Sequence, residues 1–106
     1  MEEGPNLLTS KQRSKLRSLG NTLEPILTIG KGGITKNSIT QLDEALTARE
    51  LVKGRVLPHT IFDVNEIASE LASQTMAEVV QVVGRNILFY RAPKPGTPSK
   101  IEVRED

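Results

Sequence analysis

Pro25-Ile26-Leu27-Thr28-Ile29-Gly30-Lys31-Gly32-Gly33-Ile34-Thr35 reads as a strand, a glycine turn and the start of a helix. The apolar run from Pro25 to Ile29 predicts a buried strand. Thr35 onward carries helical spacing. Three glycines and a lysine at such a junction let backbone N–H groups come close to a phosphate, with the positive end of the helix behind them. The same residues also suit a tight turn that needs positive φ, and short glycine motifs often arise by chance.

Upstream, Thr9 is a helix cap and Gln12 completes a capping box. Leu8, Leu16 and Leu19 then fall on one side at helical spacing, and Gly20-Asn21 stops the helix. Downstream, Ile39, Leu42, Ala45 and Leu46 form the apolar stripe of a second helix that ends near Arg49. Leu51 to Leu57 alternates as a strand stopped by Pro58, and Gly54 marks a candidate bulge. Asp63 caps a third helix, with Glu66 at the box position and Val64, Ile67, Ala68, Leu71 and Ala72 as its stripe. Val79 to Val83 and Ile87 to Tyr90 flank Gly84-Arg85-Asn86 as a hairpin.

The element order is therefore α-β-α-β-α-β-β. Helices between strands imply crossovers that return to one sheet, right-handed where the strands are parallel. The expected fold is α/β, a mixed four-stranded sheet packed against helices, with the last hairpin as its antiparallel pair. Residues 1–7 are expected to be a disordered N-terminus, 8–91 a single domain and 92–106 a flexible tail rich in proline. Ile101-Glu102-Val103 is at most a weak extra strand.

A chain of 106 residues supports one core. It has no cysteine, which excludes disulfides and thiolate chemistry. No apolar run has the length of a membrane span, and Met1 to Asn6 lacks the pattern of a signal peptide, so the expected location is the cytoplasm. Its only aromatic residues are Phe62, Phe89 and Tyr90, which argues against a platform of several stacked rings. His59 stands alone in a loop with no second ligand in motif spacing. No phosphate-hydrolysing G-x-x-x-x-G-K-[ST] run occurs. Asp43 and Glu44 are adjacent on a helix and diverge, which makes a poor acid/base pair. An enzyme, a cofactor and a small-molecule substrate are therefore not expected.

The net charge of +1 conceals a segregation. Between Gly4 and Lys36 stand Lys11, Arg13, Lys15, Arg17, Lys31 and Lys36 against Glu24 alone. From Asp43 to Glu78 acids dominate: Asp43, Glu44, Glu50, Asp63, Glu66, Glu70 and Glu78. Arg85, Arg91 and Lys94 follow. Lys11 stacks over Lys15, and Arg13 over Arg17, at a spacing that costs a few tenths of a kcal/mol. Nothing local offsets that repulsion, so a bound anion is one expectation and a solvated helix with snorkelling cations the other. Lys36 opposes the dipole at its helix start, which a bound phosphate would reverse.

Leu8-Thr9-Ser10-Lys11-Gln12-Arg13, Gly30-Lys31-Gly32-Gly33, Arg49-Glu50-Leu51-Val52-Lys53, Val79-Val80-Gln81-Val82-Val83-Gly84-Arg85 and Leu88-Phe89-Tyr90-Arg91 together resemble the CRM domain (chloroplast RNA splicing and ribosome maturation), in its stand-alone bacterial, YhbY-like form. The resemblance spans about Leu8 to Arg91. It implies a shape similar to the C-terminal domain of translation initiation factor three. It also implies a GxxG loop working as in KH domains, and association with ribosomal RNA in precursors of the large subunit, as a monomer. On that resemblance Gly30 and Gly33 hold the fixed positions of the loop, Lys31 is the cation at its tip and Gly32 keeps the tip low. Lys36, Arg85 and Arg91 are further RNA-binding candidates, and Lys11, Arg13, Lys15 and Arg17 would extend the RNA surface if the first helix lies beside the loop. Two positions depart from the pattern: Gly54 replaces a β-branched residue, and Met76 replaces a helix-closing glycine, so another turn conformation is expected there. A protein–protein adaptor working through the acidic faces of the second and third helices is the alternative.

Overall fold

A computed structural model describes residues 8–94 and Gly96. The expected disordered start at 1–7, and the tail apart from Ala92 to Lys94 and Gly96, lie outside the described residues. The elements follow the predicted order: α1 (Ser10–Gly20), β1 (Leu27–Ile29), α2 (Lys36–Arg49), β2 (Leu51–Val56), α3 (Val64–Thr75), β3 (Glu78–Val83) and β4 (Asn86–Tyr90).

Local chemistry sets the boundaries. Thr9 and Gln12 form a complete capping box at α1. Thr35 caps α2 through a second box with Ser38, whose hydroxyl accepts from Thr35 N at 2.8 Å. The Asp63 carboxylate accepts from Glu66 N at 3.1 Å and starts α3. The hairpin turns on Gly84-Arg85, where Gly84 has φ +59°, as a two-residue turn of type II′ demands at its first position.

The sheet order is β1-β2-β4-β3. β1 runs parallel to β2, and β4 is antiparallel to both of its neighbours. Strand alternation sends side chains to two faces. On one face Leu27, Ile29, Val52, Val56, Ile87 and Phe89 meet Leu42 and Leu46 of α2 and Ile67, Ala68 and Leu71 of α3. On the other, Leu51, Val80, Leu88 and Tyr90 meet Leu16 of α1. Each fully buried leucine contributes about 2 kcal/mol. Leu19, expected on the apolar stripe of α1, is 41% exposed, and Leu23 beyond the helix packs on this second core instead.

The bulge is not at Gly54. β2 pairs with β4 without interruption, and Phe89 packs over Gly54. The register shift falls in β3, between Val79 and Gln81. Without it, Gln81 would face the α2–α3 core. The extra residue keeps the Gln81 amide on the α1 side and returns Val82 to the core. Met76 also differs from expectation. It adopts φ 57° and ψ 40°, the left-handed conformation a glycine would take, with its side chain 71% exposed. Glu50, which ends α2, also has positive φ, 69°, and is buried. Burial, and secondarily the Glu50 carboxylate, raises the pKa of Tyr90 above its ordinary 10.0.

Candidate nucleic-acid interface

Three connections meet at one end of the sheet: the glycine segment after β1, residues 57–63 after β2, and the β3–β4 turn. Leu57 N donates to Ile29 O at 2.9 Å, and Val56 N to Arg85 O at 2.8 Å. The Thr60 hydroxyl donates to Gly30 O at 2.7 Å. The glycine loop is thus held on a rigid base rather than left to flex.

Within the loop, Gly33 N donates to Gly30 O at 3.0 Å, closing a turn with Lys31 and Gly32 at its corners. The glycines are not equivalent. Gly33 has φ +79°, and a Cβ there would lie 2.8 Å from ring atoms Cδ2 and Cε2 of Phe62. The fold itself demands that glycine. A Cβ at Gly30 or Gly32 would meet nothing within 4 Å. The tight-turn reading therefore accounts for Gly33, while Gly30 and Gly32 leave an open, low surface around an exposed Lys31.

Lys36 is the first residue of α2, exposed, with no acid in that turn of helix. Among the described residues neither Lys31 nor Lys36 has an ion-pair partner. Arg85 projects from the hairpin turn, exposed, its guanidinium 3.4 Å from Leu57 O. These three cations belong to the same end of the sheet.

The α1 cations are placed differently. The helix lies on the sheet face opposite α2 and α3. Its first half sits over the start of β3, in the row Glu78–Tyr90–Leu51, which is the end remote from the glycine loop. Arg13 Nη1 donates to Val79 O at 2.9 Å and Nη2 lies 3.9 Å from Glu78. The repulsion expected between Arg13 and Arg17 thus has an offset, an acid 65 residues on. Lys11 and Lys15 are exposed and Arg17 half-buried. The helix then runs toward the loop end, where Gly20 and Asn21 border a pocket of about 150 Å³ with Lys53, Gln81, Val83, Asn86, Ile87 and Leu88.

Arg91, expected to touch RNA, stands at the remote end as a clamp. Its guanidinium donates to the Asp43 carboxylate at 2.7 Å, Asp43 O at 3.0 Å, Thr47 Oγ1 at 2.8 Å and Thr75 O at 2.8 Å. It fastens α2 and the end of α3 to the end of β4. These four acceptors take up both Nη groups and leave only Nε–H of the five guanidinium donors.

Two cations were missed in the sequence. Lys53 and Arg55 pair with Leu88 and Asn86, so strand alternation puts them on the α1 side of the sheet. Arg55 is exposed, beyond the part that α1 covers. The signal was present as a Lys-x-Arg alternation with Val52, Gly54 and Val56. Phe62 against Gly33 had no sequence signal, since the two are 29 positions apart.

This geometry defines a class: a two-faced α/β domain with a rigidly based glycine loop and a cationic rim. The CRS1 / YhbY (CRM) domain family model matches residues 8–91, and the chain belongs to that family. It is 42% identical over 88 residues to the "Probable RNA-binding protein YqeI" of Bacillus subtilis, covering 83% of this chain and 92% of that one. It is 33% identical over 89 residues to the "Probable RNA-binding protein PA4753" of Pseudomonas aeruginosa, covering 83% and 86%. Among solved structures, the solution structure of SAV1595 from Staphylococcus aureus, titled "a putative RNA binding protein", superposes with a TM-score of 0.76 at 44% identity, covering 92% of this chain and all of that one.

Proposed function

We propose that the chain binds RNA by seating the backbone on the Gly30–Gly33 loop, with Lys31, Lys36, Arg85 and Arg55 neutralising phosphates. The observation that carries this reading is the open space at Gly30 and Gly32, where the fold leaves room for a side chain and the sequence has none. A backbone of the ligand can come within hydrogen-bonding distance only where no Cβ intervenes. The names of the relatives favour RNA as the phosphate source. Ribosomal RNA in large-subunit precursors, in the cytoplasm, is the substrate class that the family likeness points to, with a monomeric protein as the binding unit.

The adaptor alternative is weakened by where the acids lie. Asp43 is tied to Arg91, Asp63 caps α3, Glu78 faces Arg13 and Glu50 is buried. Of the four acids on α2 and α3 themselves, Asp43 is tied to Arg91 and Glu70 accepts from Gln74 Nε2 at 2.8 Å, which leaves Glu44 and Glu66 for such a face.

Replacing Lys31 and Gly32 together with aspartate tests the reading. Binding to a short single-stranded RNA should be lost while the melting curve and circular dichroism stay unchanged. For the native protein, log K should fall with log salt at a slope near −2.8 if about four phosphates are neutralised, one for each of Lys31, Lys36, Arg85 and Arg55. Full binding by the double variant, or an affinity indifferent to salt, would sink the proposal.

A further inference from the structure

Phe62 lies beside the glycine loop and, with its exposed sequence neighbour Ile61, makes an apolar ledge there. Ile61 is 85% exposed and Phe62 47%, in a chain whose other two aromatic side chains are buried. The ring of Phe62 covers Gly33, since a Cβ there would meet two ring carbons at 2.8 Å. One residue before Ile61, the Thr60 hydroxyl is bonded to Gly30 O at 2.7 Å. The ledge and the loop are therefore one rigid unit, fixed at both ends of the glycine turn. Two large apolar side chains exposed at successive positions, one of them against the loop, offer a contact surface to whatever the loop binds.

We propose that the Ile61–Phe62 ledge is a base-stacking subsite for one unpaired nucleotide of the RNA whose backbone crosses the glycine loop. This deepens the RNA-binding reading and rests on it. Continuity with the loop selects this occupant. A backbone seated over Gly30 and Gly32 must project its bases to one side or the other, and the ledge is the apolar wall that borders the loop. A base presents two flat π-faces, either of which can lie on a half-exposed ring. Stacking is indifferent to hydrogen-bonding edges, so the subsite favours purines over pyrimidines without reading a sequence. It also selects single strands, because a base in a duplex is already stacked and cannot reach the ring.

One ring is enough for this role. A platform that binds many successive bases needs several rings, and this chain does not have them. A single ring next to a backbone clamp holds one nucleotide and sets its orientation.

Fluorescence anisotropy with the full chain provides the test. The ligands are an oligoadenylate of eight nucleotides, and the same oligomer with an abasic ribose at every position. The variants are Phe62→Leu, which keeps an apolar side chain over Gly33 but loses the flat face, Ile61→Ser and Phe62→Trp. Phe62→Leu should weaken oligoadenylate about tenfold and leave the abasic oligomer unchanged. Ile61→Ser should do the same to a smaller degree, and Phe62→Trp should bind oligoadenylate at least as tightly as the native chain. Equal affinity of native and Phe62→Leu chains for oligoadenylate would overturn the subsite, as would an equal loss on both ligands. Self-association abolished by Ile61→Ser, with RNA affinity intact, would overturn it in favour of a second copy of the chain. Lys31→Asp separates the two levels. If it weakens both ligands while Phe62→Leu is silent, only the ledge fails; if it weakens neither, the loop reading fails first.

Discussion

At the end of the sheet where β2 begins and β4 finishes, Arg13 and Arg91 are engaged with carbonyls and carboxylates of the chain itself. At the other end Lys31, Lys36 and Arg55 face solvent with no ion-pair partner among the described residues. The residue types are the same. What differs is whether the fold supplies acceptors. A guanidinium engaged by carbonyls and carboxylates of the chain holds the architecture together. A cation standing clear beside an open backbone is available to an anion from outside. Basic residues in a sequence are thus sorted by their acceptors, and charge counting alone cannot do that sorting.

The comparison is broken most forcefully at Arg91. Arg91→Ala removes bonds that join α2, α3 and the end of β4. Because the Asp43 side chain is 55% exposed, the ion pair itself is worth little, and most of the loss comes from the two carbonyls and Thr47. The expected destabilisation is about 2 kcal/mol, read from the midpoint of urea unfolding, with RNA affinity of the folded protein unchanged. A loss of affinity with full stability would move Arg91 to the RNA surface.

Next come the glycines of the loop, compared with one another. Gly33→Ala forces a side chain into positive φ and against Phe62, and should cost about 1–2 kcal/mol in unfolding. Gly32→Ala should leave stability within about 0.5 kcal/mol while lowering RNA affinity severalfold. If both changes act on stability alone, the loop is only a turn.

The smallest effect belongs to Met76, at the end remote from the loop. Met76→Gly relieves a left-handed backbone at a side chain that is 71% exposed, and should stabilise the fold by roughly 0.5–1 kcal/mol. RNA binding should not change. Thermal melting of the variant beside the native chain measures it.

Local chemistry made much of the fold legible. Thr9 with Gln12, Asp63 with Glu66, and Gly84 at the hairpin are short-range devices whose partners sit within four residues. The glycine loop was legible for the same reason. What the sequence hid concerns partners distant along the chain. The Arg13–Glu78 pair spans 65 residues and the Arg91–Asp43 pair spans 48, so both arginines looked free. Gly54 looked like a bulge because nothing local revealed that Phe89 would lie over it. The real bulge sits in a run of valines whose alternation hid the extra residue. The candidate site divides in the same way. Its loop and first cation were visible, while Arg55 and the Phe62 ledge depended on which face of a strand and which neighbouring loop they would meet.

The most direct measurement is a two-dimensional amide NMR titration of the full chain with a short single-stranded RNA. The account predicts shifts concentrated at Gly30 to Lys36, Thr60 to Phe62 and Gly84 to Arg85, with Arg13, Glu78 and Arg91 unmoved. Shifts centred on Arg13 and Arg91, with a silent glycine loop, would contradict it.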